Sequence, residues 1–138
     1  MNAYSFEDIE IGLTESFKVT VIKDMMDAFR NMTGDDNPLH CDKTFSEQKG
    51  FKDRVVYGLL TSSFFSTLAG VYLPGEKSLI HETEFKYKKP VYIGDELTIS
   101  GTVSDIDEKF KVFTMKVTAV NQANDKVVRG TMRVGFLP

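Results

Sequence analysis

The segment Gly58 to Tyr72, GLLTSSFFSTLAGVY, holds no charged side chain, in a chain where 27% of residues are Asp, Glu, Lys or Arg. It is apolar or small on every side and about four helical turns long. A helix of that kind either spans a membrane or is buried over most of its surface. Spanning takes about 20 apolar residues, so burial is the expectation. Whatever the rest of the chain folds into must supply a surface that wraps this helix. The Pro-Gly turn in LPGEK then ends it.

The second half of the chain can supply that surface. SLIHETEFKYK sets Leu79, His81, Thr83, Phe85 and Tyr87 against Ile80, Glu82, Glu84 and Lys86, the alternation of a strand with one mostly apolar face. Pro90 and the turn Ile93 to Asp95 punctuate it, and three more strands follow: ELTISGTVSDI, FKVFTMKVTAV and KVVRGTMRVGF. Gly101 and Gly130 fall inside strands, where glycine weakens pairing but permits bulges and sharp curvature. Consecutive strands with short connections pair antiparallel. The expected fold is α+β, a curved antiparallel sheet wrapped around one buried helix. With 138 residues the chain is one domain's worth, residues 1–138 without a linker or repeat.

The first half reads as helical with irregular connections. FKVTV alternates like a short strand, and Ile22, Met25, Met26, Phe29 and Met32 then recur at three and four, as on an amphipathic helix. Gly34 suits the left-handed position that ends such a helix. KTFSEQKG forms a second short helix stopped by Gly50. Between them lies MTGDDNPLHCD, which crowds three aspartates around one of only two histidines.

Asp35 and His40 are the chemical candidates. Their spacing would point them roughly 140° apart on an uninterrupted helix and to opposite faces of a strand. They meet only if the chain turns between them. Gly34 ends one helix, and Pro38 pushes Asn37 towards an extended conformation. A carboxylate and an imidazole facing one point suit holding a water and moving a proton. On spacing alone, ordinary cap and turn chemistry with a structural His40 is the favoured reading. His81 falls on the apolar face of its strand, a core or interface position. Two histidines and one cysteine without ligand spacing argue against zinc, and Cys41 shows no sign of activation.

The string TGDDNPLH closely resembles the Gly-Asp-x-Asn-Pro-x-His signature of the MaoC-like, R-specific enoyl-CoA hydratases, which have the hotdog fold. FEDIEIG resembles the opening segment of that family, VVYGLLTSSFFSTLAG its central helix, and KKPVYIGDEL its Pro-Val-x-x-Gly-Asp strand turn. The resemblance implies that Asp35 and His40 are the catalytic pair. It implies a substrate-binding set of Gly58, Ser66 and Asn37. Gly58 would polarise a thioester carbonyl through its N–H, Ser66 would shape the site, and Asn37 would brace the loop. Helix N-termini do present unpaired N–H groups with partial positive charge. For Ser66, a hydroxyl bonded back to its own helix is an equal alternative. The chain departs from the pattern at Tyr57, where many relatives have histidine, and at Asp36, a second carboxylate beside Asp35. Lys49, Lys52 and Arg54 could meet coenzyme A phosphates or serve as a solvated surface.

The implied activity is reversible hydration of a trans-2-enoyl thioester to an (R)-3-hydroxyacyl thioester. No cofactor is expected beyond coenzyme A or an acyl carrier protein as part of the substrate. Hotdog sheets leave an open edge and an apolar surface, so the expected partner is a second copy of the chain. Lys+Arg 17 against Asp+Glu 20, net −3, with no basic stripe, does not favour nucleic acid or an anionic membrane. The acidic amino terminus, unlike a signal peptide, and the single cysteine suggest the cytoplasm. The rivals are a hotdog thioesterase, which usually relies on a carboxylate on the buried helix, and a non-catalytic acyl-CoA-binding module.

Overall fold

The computed structural model describes residues 1–138. After a 3-10 turn at Phe6–Asp8, the chain runs through β1 (Thr14–Thr20), α1 (Lys23–Thr33), α2 (Pro38–Cys41), α3 (Lys43–Gln48) and α4 (Gly58–Thr67). A wider π-type turn, Leu68–Tyr72, continues α4 before β2 (Ser78–Tyr87), β3 (Glu96–Asp107), β4 (Val112–Val120) and β5 (Lys126–Phe136). The strands form one antiparallel sheet in the order β1-β3-β4-β5-β2.

Alternation explains the middle of this sheet. In β3, Leu97, Ile99 and Val103 point inward and are buried, as are Phe113, Met115, Val117 and Ala119 of β4 and Met132 and Val134 of β5. With Leu60, Phe65, Leu68 and Ala69 of the central helix they form one apolar core. At Gly101 a methyl group would come within 2.9 Å of Leu68 and 2.8 Å of the Met115 sulfur, so the missing side chain lets helix and sheet close on each other. The expected sheet around a helix is what the chain builds.

Three expectations are corrected. Consecutive pairing holds for β3, β4 and β5, but β2 and β3 lie apart, because β2 returns to the far edge beside β5 while β1 takes the edge beside β3. A register slip between Ile80 and Glu82 breaks the alternation of β2. His81 sits at that slip, exposed, its ring over Gly135, where a methyl would lie 2.8 Å from Nε2; it is no core residue of this chain. The central helix is also less covered than its lack of charge suggested. Leu59 is 67% exposed, and Ser63 and Ser66 are open on the same side, because the sheet covers only one face.

Candidate active site

The segment that carries the candidates is shaped by its own residues. Gly34 ends α1 in the left-handed region (φ 73°), its N–H donating to the Arg30 carbonyl at 2.8 Å. Asn37 is extended (φ −54°, ψ 125°) before Pro38, which occupies the first turn of α2. The Asn37 side-chain oxygen accepts the Leu39 N–H at 2.9 Å, capping α2. The cap engages that oxygen, and Asn37 lies outside the wall of the cavity beside His40. Asp42 caps α3 in the same way, accepting from the Phe45 N–H at 3.1 Å.

The turn therefore brings His40 inward. Its Nδ1 lies 2.6 Å from the Val55 carbonyl, which can only accept, so Nδ1 carries a proton and, in the neutral ring, Nε2 is the nitrogen with the lone pair. Val55 in turn donates its N–H to the Leu39 carbonyl at 3.1 Å, zipping α2 to the approach of α4. Asp35 stays exposed, its carboxylate accepting the Asn37 N–H at 3.1 Å. Asp36 is engaged by Arg30, Nε to Oδ1 at 2.6 Å, which turns that second carboxylate towards α1.

Tyr57 joins the two candidates. It is 2% exposed, and its hydroxyl donates to the Asp35 carbonyl at 2.6 Å. Its ring packs on that of His40, centroids 4.2 Å apart. Burial, and then the Cys41 thiol 3.6 Å from the hydroxyl, hold this phenol well above its ordinary value, so it remains a donor.

A cavity of about 320 Å³ opens beside His40, with Gly58, Thr61, Tyr87, Lys88 and Val91 among its walls. Gly58 begins α4, and its N–H finds no acceptor in the chain, as expected at a helix start. A methyl here would lie 3.0 Å from the Tyr87 ring, so glycine is what lets that ring close over the helix end. Tyr87 is tied there through its hydroxyl, 3.0 Å from Ser62 Oγ. Thr61 Oγ1 is buried with no hydrogen-bond partner. Ser66, by contrast, is exposed on the outer side of α4 and contributes nothing to this cavity within one chain.

The cations at the cavity are not those of the 49–54 stretch. Lys49 and Lys52 lie over the Phe45 and Tyr92 rings at 5.3 and 4.5 Å, whereas Lys88 and Lys89 line the cavity. Lys89 is paired with Asp125 at 3.0 Å, and Lys88 is in no ion pair. Thr61, Tyr87 and Lys88 escaped the sequence reading. Only the run KYKKP before the strand turn hinted at the last of them.

Five antiparallel strands curled about one helix make this a hotdog protein. A family model for the MaoC-like domain matches residues 7–125, and the chain belongs to that family. It is 31% identical over 129 residues to an (R)-specific enoyl-CoA hydratase of Rhodospirillum rubrum, covering 94% of this chain and 89% of that protein. It is 34% identical over 103 residues to one from Aeromonas caviae, 75% of this chain and 77% of the other. A solved (R)-hydratase from A. caviae superposes with a TM-score of 0.90 at 30% identity, over 96% of this chain and 99% of that one.

Proposed function

We propose that this chain catalyses the reversible hydration of a trans-2-enoyl thioester to the (R)-3-hydroxyacyl thioester. The observation that carries the reading is the pairing of two complementary groups in one cavity. The neutral His40 ring turns its Nε2 lone pair away from Val55 because Nδ1 is held by that carbonyl, and Gly58 offers an unpaired helix-terminal N–H. One end of the cavity can take a proton and the other can receive negative charge. The similarity to hydratases of the same family supports assigning that chemistry to an enoyl thioester.

In the hydration direction His40, on the cavity wall, removes the proton of a water as oxygen adds at C3. The Asp35 carboxylate, which lies outside that wall in the single chain, would help to hold the water. The Gly58 N–H donates to the thioester oxygen as enolate-like charge grows there, and the pair then returns a proton to C2. Metal and redox cofactors take no part, and coenzyme A or an acyl carrier protein enters with the substrate. The working form is a homodimer. β2 pairs only with β5 and leaves an open edge, and Met32 and Leu59 are 76% and 67% exposed, a surface that a second copy would cover. The free thiol of Cys41 suits a reducing compartment such as the cytoplasm.

The test is the loss of conjugated enoyl-thioester absorbance when wild type and His40→Ala meet crotonyl-CoA. Loss with wild type alone, and a 3-hydroxyacyl-CoA product, is the expected outcome. Release of free thiol without hydration would replace the hydratase with a thioesterase. Silence in both assays, with coenzyme A and carrier-protein substrates of short and longer chains, would leave a binding module.

A further inference from the structure

The residue just before Gly58 reaches back across the site. Tyr57 caps the start of α4, yet its side chain points away from that helix, into the space between the Asp35 loop and α2. Its ring packs against those of His40 and Phe29, with centroids 4.2 and 4.6 Å away. Its hydroxyl reaches the main chain of Asp35. The remaining hydrogen bonds of residues 34–37 are local. Gly34 bonds to Arg30, Asp35 to Thr33, Asp36 to Arg30, and Asn37 to Asp35, Leu39 and His40. The Tyr57 hydroxyl is therefore the hydrogen bond that fastens this loop to the body of the protein. Tyr57 itself is absent from the cavity wall, so it has no surface to offer a substrate.

We propose that Tyr57 is a positioning residue, clasping the Asp35 main chain with its hydroxyl and buttressing the His40 ring with its face. Asp35, His40 and the Gly58 amide are thereby held in one frame. The inference rests on the hydratase reading above. A clasp of this kind acts through alignment of groups already bound to substrate. Its loss lowers the rate of the chemical step and leaves affinity for the thioester little changed.

The experiment uses the full chain with Tyr57→Phe, Asp35→Ala and the two combined. Phenylalanine keeps the buried ring and removes only the donor. Turnover of crotonyl-CoA by Tyr57→Phe should fall about tenfold, the rate equivalent of one lost hydrogen bond, with KM within about twofold of wild type. Added to Asp35→Ala, the same change should cost nothing further, because the group it aligns is gone. Amide exchange at Asn37 and His40 should quicken in Tyr57→Phe. Wild-type turnover in Tyr57→Phe, or an equal loss in both backgrounds, would overturn the inference. A wild type inert towards enoyl thioesters would overturn the hydratase reading instead. Amide exchange then decides the clasp alone: quickened exchange keeps it, unchanged exchange removes it.

Discussion

From β3 to β5 the chain is held by a backbone ladder and an apolar core, whereas between Gly34 and Gly58 the candidate site residues are each placed by an individual directional contact. In the sheet, Met115 is one of many buried side chains, and its neighbours share the load. In the site segment the Val55 carbonyl holds His40, the Tyr57 hydroxyl holds Asp35, and the Asn37 side chain caps α2. Distributed apolar burial gives stability that degrades gradually. Single directional contacts give geometry, and geometry fails at once when one is removed. Stability and activity should therefore be separable by position in this molecule.

The sharpest break should come at the site. His40→Ala and Asp35→Asn should each lower turnover of crotonyl-CoA by about 10²–10⁴, while thermal melting stays close to wild type, since Asp35 is exposed and His40 half-buried. A variant that unfolds would return its residue to a structural role. The converse break is Leu68→Ala, under Gly101 in the core, which should cost about 2–5 kcal/mol in urea denaturation with kcat per folded molecule nearly unchanged. A smaller effect of opposite sign is expected at Thr61. Its hydroxyl is buried without a partner, so Thr61→Val should raise stability by about 1 kcal/mol, read from the denaturation midpoint. The smallest belongs to Asp36→Asn. Its pair with Arg30 is 71% exposed on the carboxylate side, so the change should leave the denaturation midpoint close to wild type. Full turnover in the same protein would confirm that this carboxylate stands apart from the chemistry.

The same contrast governs what could be read from sequence. The strands β3, β4 and β5 were legible because period-two alternation is a local signal that burial on one face enforces. The break around Asp35 was legible for a similar reason: Gly34, Asn37 and Pro38 act on their own backbone. The work of Tyr57 was not, since its partner lies at Asp35, 22 residues away, and nothing in a tyrosine's neighbours announces that reach. Tyr87 and Lys88 meet Thr61 of α4 at the cavity only because β2 crosses to the far edge and ends against that helix. A sequence pattern carries no strand order. The uncharged run 58–72 overstated burial for another reason. Composition reports that a face avoids charge without saying whether this chain's own sheet covers it, and Leu59 and Ser66 remain open.

The bond from His40 to the Val55 carbonyl has a consequence for handedness. An imidazole free to rotate could offer either nitrogen, and from several directions. Held at Nδ1, and with Leu39 and Val55 joined main chain to main chain, the neutral ring presents one lone pair along one line. A planar alkene seated in the cavity has two faces, and in the proposed reaction only one of them meets that line. The chirality of the alcohol would then trace back to a backbone oxygen that never touches the substrate.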